Sequence, residues 1–185
     1  MLGSVLIALT LAAAAAPPTA RAAPPMPYVD KGQCPFECCT FGTWTANRRT
    51  AVLRAARADA PVAFELAKGE TVRVPTGDVV TVRAGRVRAL RATTIGEDGD
   101  ATRLAAGDVF YDLHHVEVLD ELVWFRGHVF VAETRADRPG PAIDHPELEV
   151  LELPIVQWWV EVHDAHGHVG WTMRTDDFDG EDSCG

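Results

Sequence analysis

The sequence predicts an all-β protein of one or two small β-barrels built from hairpins, preceded by a signal peptide. Three observations carry that prediction. Apolar and polar residues alternate in many short runs, Gly-containing turns separate those runs at roughly 8–12-residue spacing, and no stretch reads as a convincing long helix.

The chain has 185 residues and opens MLGSVLIALTLAAAAAPPTARAAPP. Val5 to Ala16 is an apolar run, too short for a membrane-spanning helix, which needs about 20 such residues. It fits the h-region of a secretory signal peptide over residues 1–22, with Ala20-Arg21-Ala22 as the small-x-small cleavage pattern. The n-region departs from the pattern, having no Lys or Arg. The expected location is therefore secreted or periplasmic, with no membrane insertion once the leader is cut after Ala22. Losing Arg21 takes the basic residues from 17 to 16 against 27 acidic ones, so the net charge moves from -10 to -11. That balance argues against nucleic acid, whose phosphates need a basic face, and against an anionic membrane surface.

Residues 23–61 read as an extended, Cys-containing segment. Within it Trp44 to Leu53 can hold a strand, and LRAARADAP (53–61) is helix-like in composition but stops at Pro61. Residues 62–92 form a first β block. VAFEL, the turn AKGE with Gly69, and TVRV make a hairpin; PTGD (75–78) turns into VVTVR, and AGR (84–86) into VRALRA. Val72, Val74, Val80 and Val82 alternate with Thr or Arg, the period of a half-buried strand. Residues 93–106 are a linker loop.

Residues 107–175 form a second β block. Gly107-Asp108 leads into VFYDL, and LVWFRGHVFVAE (122–133) is a hairpin across Arg126-Gly127. A proline-containing loop follows at 134–147, and LEVLEL then runs into Pro154. IVQWWVEVHDAHGHVGWTM (155–173) reads as a strand, a DAHG turn and a returning strand. Residues 176–185 are an acidic tail anchored by Cys184.

An oxidising destination gives the four cysteines, Cys34, Cys38, Cys39 and Cys184, the reading of structural disulfides. Cys38 and Cys39 point to opposite faces of an extended segment, so each needs a different partner. Both pairings that satisfy this tie the amino-terminal cluster to the carboxyl terminus, a closure worth about 5 kcal/mol in the chain-entropy model. We favour Cys34–Cys39 with Cys38–Cys184. A zinc site is the sharper alternative, but the paired C-x2-C spacing is missing.

The stretch WWVEVHDAHGHVGWT (158–172) resembles the last hairpin of bacterial SH3-like (SH3b-type) domains, with Trp159, Gly167, Gly170 and Trp171 at matching places. ELAKGETVRV (65–74) resembles an earlier step of such domains. PYVDKGQCPFECCTFGTW (27–44) is similar to the opening of secreted bacterial proteins described only as SH3-domain-containing, and GDVFYDL and VWFRG resemble their central block. In that group the middle cysteine is often Gly, which implies Cys34 with Cys39 as the basic pair and Cys38–Cys184 as an addition. The Arg-Ser-Gly-Pro step of the standard domain is absent near 54–61.

The resemblance implies a non-catalytic binding module of the bacterial envelope. Its expected partner is a peptide, a peptidoglycan fragment or an envelope protein, and no cofactor is implied. The candidate ligand-binding residues are Tyr111, Trp124, Trp158, Trp159 and Trp171. Trp158 and Trp159 point to opposite faces, so one can join a core while the other floors an aromatic groove. The competing reading packs both.

A rival reading uses His163, His166 and His168, which fall within six residues of one turn beside Asp164 and can bind Zn or Cu if they converge. His114 and His115 are adjacent on a strand and so face apart. Catalysis has little support, because no G-x-S-x-G occurs and Ser183 is the only serine after the leader. The tail residues Asp177, Asp179 and Gly180 match part of a calcium loop, but its twelfth position falls beyond Gly185.

Overall fold

The computed structural model describes residues 23–97, 99, 101–117, 120–134, 138–142 and 145–184; the expected signal peptide, residues 1–22, lies outside them. The fold is all-β. The helical element among the described residues is a single 3-10 turn, Thr175–Asp177.

Six strands come first: β1 (Tyr28–Lys31), β2 (Gly42–Ala46), β3 (Thr50–Leu53), β4 (Val62–Leu66), β5 (Thr71–Val74) and β6 (Gly77–Arg83). Next are β7 (Arg86–Ala89), β8 (Thr93–Ile95), β9 (Thr102–Leu104), β10 (Val109–Glu117), β11 (Asp120–Phe125), β12 (His128–Glu133), β13 (Gly140–Ala142) and β14 (His145–Glu152). The chain closes with β15 (Ile155–His163), β16 (Val169–Thr172) and β17 (Phe178–Asp179). The first sheet runs β17-β2-β5-β15-β16-β3-β4, with β6 also paired to β15 and β1 to β6. The second runs β12-β11-β10-β7-β14-β13, and β8-β9 is a separate ribbon. Among the described residues the first sheet keeps unpaired ends at β17, β4 and β1 and the second at β12 and β13, so neither closes into the expected barrel.

The partition also differs from the expected blocks 62–92 and 107–175. The first sheet takes strands from both ends of the chain, and the second sheet is inserted between β6 and β15. Alternation marks a strand and its buried face but does not say which sheet receives it. The hairpin expected from VAFEL and TVRV is likewise absent. The turn forms, with Gly69 at φ 90, but β4 pairs β3 while β5 pairs β2 and β15. The two strands part to line opposite sides of one core.

Other local signals become the structures they predict. Arg126 and Gly127 both have positive φ (50 and 95), the twist of a type I′ turn, and join β11 to β12 in register. β15 and β16 pair across the DAHG turn. LRAARADAP is a bent loop, not a helix.

The first core gathers Trp44, Val74, Val79, Trp158, Val160 and Phe178. The second gathers Val87, Leu104, Phe110, Val123, Leu148 and Val150. A third cluster, Ala84, Leu113 and Trp124 with Tyr28, Tyr111 and Leu122, joins them. The junction is polar as well as apolar: Thr81 donates to the Leu113 carbonyl (2.9 Å), and buried His114 meets Asp30 of β1 at 3.1 Å.

The disulfides are Cys34–Cys39 and Cys38–Cys184, with Cα–Cα distances of 6.0 and 5.6 Å. They seat the segment between them on the first core: Phe36 meets Trp158 edge-on at 5.6 Å, and Cys34, Cys39 and Phe41 pack beside it. The tail returns along β2, where Thr40 donates its amide to the Glu181 carbonyl (2.9 Å). Phe178 lies 5.7 Å from Trp44. Asp177 is buried, accepts from the Thr50 hydroxyl (2.9 Å) and pairs with Arg48 and Arg174.

The chain leaves the first sheet at Ala84-Gly85 and re-enters at Leu153-Pro154. A Cβ on Gly85 would sit 2.8 Å from Pro154 Cδ and 2.9 Å from the Glu152 carbonyl oxygen, so the two passages touch only because Gly has no side chain. Gly85→Ala is expected to lower stability by about 1–3 kcal/mol, as overpacking does; thermal unfolding measures it, and an unchanged midpoint would mean the passages can separate freely.

One carboxyl breaks the apolar pattern of the second core. Asp112 follows Phe110 on the same face of β10, is 8% exposed, and has a buried Oδ1 with no hydrogen-bond partner among the described residues. Burial pushes its carboxyl up to about 7 from an ordinary 3.8. Because the folded value is the higher one, stability is lost as pH rises from about 4 to about 7, on the order of 4 kcal/mol at most. Asp112→Asn is expected to flatten that slope in thermal unfolding curves, so that the variant gains most above pH 7. An identical slope in the variant would show that Asp112 does not cause it.

Candidate functional site

The three histidines of HDAHGH do not converge. His163 ends β15, where its Nε2 meets Glu161 Oε1 at 2.6 Å and its cross-strand neighbour is Arg73. His166 sits in the turn and His168 just after it; their ring centroids are 6.1 Å apart, and both line a cavity that His163 does not. Among the described residues, the group of three metal-type ligands close enough to share an ion is Cys38, Asp182 and Cys184, and its sulfurs are already bonded to each other.

What the turn does build is a fixed carboxylate–imidazole pair. Asp164 Oδ1 accepts the amides of His166 and His168, both at 2.8 Å, and Oδ2 meets His168 Nδ1 at 2.7 Å. Gly167, at φ 84, lets the chain reverse so that its amide donates back to the Asp164 carbonyl. Partial burial alone would raise the Asp164 carboxyl, but the His168 ring and the two amides together outweigh it and hold it below the ordinary value. A carboxylate opposite Nδ1 calls for the proton on Nδ1, and Nε2 is then an acceptor whenever the ring is neutral.

This turn forms one wall of a cavity of about 320 Å³. The other walls are Phe64 and Glu65 of β4, and Glu70 and Thr71 at the start of β5. The Phe64 ring lies 5.6 Å from His168. Glu65 is ion-paired with Arg49, while Glu70 accepts the local amide of Ala67, at 2.7 Å. Three acidic residues and two histidines thus line the space beside one aromatic ring. Such a wall suits a ligand that brings hydrogen-bond donors or positive charge.

The five aromatics expected to form a groove go to separate places. Tyr111 and Trp124 are cross-strand partners in the junction cluster, with Trp124 9% exposed. Trp158 packs on Phe36, Phe41 and Trp44 in the first core. Trp159, on the opposite face, is 1% exposed; its indole donates to Gln157 Oε1 (3.1 Å), and it backs a smaller cavity of about 160 Å³ with Leu53, Ala58 and Met173. Trp171 is half-buried, opposite Leu53 and Glu161. Both faces of β15 are covered, so both of its tryptophans are packed.

The remaining candidates have structural partners. His114 is buried against Asp30, and His115 faces Glu121 at 3.3 Å. The Asp177 carboxylate of the calcium-like tail is taken up by Arg48, Arg174 and Thr50. Sequence reasoning did not find Phe64, Glu65, Glu70 and Thr71. They reach the histidine turn only through the curl of the sheet, which has no local signature.

No known family, curated protein or solved structure matches the chain.

Asp164→Ala is expected to remove about 1–3 kcal/mol by breaking three hydrogen bonds of the turn. It should also free the His168 ring, which imidazole nitrogen shifts in NMR spectra report. Because the folded Asp164 carboxyl is depressed, its contribution is present above about pH 4 and lost as pH falls through the depressed value. An Asp164→Ala chain as stable as the natural one at neutral pH would remove the turn from this account.

Proposed function

We propose that the chain is a non-catalytic binding module working outside the cytosol, secreted or periplasmic, and that its ligand seats in the cavity beside the Asp164–His168 pair. The observation that carries this reading is the pair itself. His168, its ring oriented by Asp164 at 2.7 Å from Nδ1, lines a space of about 320 Å³. That volume lies in the ordinary range of ligand pockets, about 300–1,000 Å³. The two disulfides fit an oxidising compartment. No helix among the described residues is long and apolar enough to cross a membrane. The resemblance to SH3-like envelope modules supports a peptide, a wall fragment or an envelope protein as the partner. The acceptor-rich wall narrows it to one carrying an ammonium or guanidinium group.

A second reading has one observation in its favour. A carboxylate behind an imidazole is also how proteins orient a metal-binding histidine. A further ligand would have to swing in from His166 or Glu70.

The readings separate in a titration of the full disulfide-bonded chain followed by NMR. Acetyl-lysine amide and acetyl-arginine amide are expected to shift His168, Glu70 and Thr71, with affinity falling at least tenfold in Glu70→Gln. Zinc chloride shifting the same histidines at lower concentration would favour the metal reading. No shift with any of the three probes would overturn the site.

A further inference from the structure

The cavity adjoins an unpaired sheet edge. β4 ends the first sheet: it pairs with β3 on one side, and among the described residues no strand pairs with its other side. Alternate residues of such a strand direct main-chain N–H and C=O groups outwards. Edges of this kind are commonly protected by Pro, Lys or extreme shortness. β17, at the other end of the same sheet, is only two residues long. β4 is five residues, VAFEL, with neither Pro nor Lys, and Val62 is 49% exposed. Its one charge, Glu65, is held by Arg49.

Phe64, Glu65 and Leu66 belong both to this edge and to the cavity wall. A chain lying along β4 therefore runs past the mouth of the cavity. Its side chains alternate with period two, so one of them can enter while its neighbours face away. The entering side chain meets the wall that Glu70, Asp164 and His168 form, with Phe64 beside them. Those groups match a lysine or arginine, whose apolar stem and charged head need that combination.

We propose that the ligand is an extended peptide segment that joins the sheet as a strand beside β4, with a basic side chain in the cavity. The inference rests on the binding reading above and adds the partner class: a polypeptide recognised through its main chain, not a glycan and not a free cation. Five residues of β4 offer room for a segment of about five residues, roughly 17 Å long. Affinity would come from the main-chain ladder, and selectivity from the single basic position.

The test uses the full disulfide-bonded chain and the acetylated, amidated pentapeptide Val-Lys-Val-Lys-Val. Three comparison probes are the same peptide N-methylated at one set of alternate amides, the same peptide N-methylated at the other set, and acetyl-lysine amide. Hydrogen exchange and amide shifts report on β4, while side-chain shifts report on His168 and Glu70. The expected result is slowed exchange at alternate amides of β4 with the pentapeptide. N-methylation on the bonding edge should weaken binding at least tenfold, and acetyl-lysine amide should shift the cavity alone. Equal binding of both N-methylated registers, or cavity shifts with unchanged β4 exchange, overturns strand addition and leaves the cavity reading standing. Protection appearing at β12 instead also overturns it. Silence at both β4 and the cavity removes the binding reading itself.

Discussion

The structure depends on β15 being buried on both faces. One face sends Trp158, Val160 and Val162 into the first core; the other buries Trp159 almost completely. Along its length β15 bonds to β6, β16 and, at its last residue, β5. A strand covered on both sides cannot slip by one residue without exchanging its two sets of side chains, and here that would send Gln157, Glu161 and His163 into the first core in place of Trp158, Val160 and Val162. That constraint fixes the register of the first sheet. It also fixes the position of the histidine turn, which follows the last residue of β15.

The cysteine-rich opening acts on the same strand. CPFECCTFGTW supplies Phe36 and Phe41, which with Trp44 enclose the Trp158 ring. A loop with so few main-chain bonds of its own would leave that ring half-covered. The Cys34–Cys39 bridge shortens the segment over the core, and the Cys38–Cys184 bridge joins it to the tail that carries Phe178. The adjacent cysteines therefore work in two directions, one along the segment and one across to a residue 146 positions away. Trp158 keeps one unsatisfied donor: its Nε1 is buried with no partner and stands where a Cβ on residue 77 would fall, at 2.5 Å, which makes Gly77 the residue that admits the indole.

What could be read from the sequence follows the range of the interaction. The all-β class, the Arg126-Gly127 hairpin and the final hairpin are local, since alternation and turn chemistry act over a few residues. The bridged cysteines follow from their even number and from the oxidising compartment that the leader-like opening predicts. The insertion of the second sheet between β6 and β15 was not legible, because it is decided by which strands pair across some 70 residues and by the contact of Gly85 with Pro154. The divergence of β4 from β5 was hidden for the same reason: a good turn at Gly69 resembles a hairpin whether or not its strands pair. The tryptophans mark strands correctly, but period two says only that two faces exist, not that both are covered.

The same distinction governs the candidate site. HDAHGH is conspicuous in sequence because its histidines are close in number, yet alternation at the end of β15 and reversal at Gly167 send His163 away from His166 and His168. The residue that organises the turn is Asp164, whose two oxygens take three donors and leave one imidazole nitrogen with a defined role. The groups opposite that nitrogen arrive from β4 and β5, so the site exists only when the sheet has curled. Its geometry is therefore coupled to the packing of β15: a loosened Trp158 would move the turn, and with it the His168 ring that Asp164 orients. The shape of the cavity wall is then a consequence of strand register, and the polar turn inherits its precision from the apolar strand that precedes it.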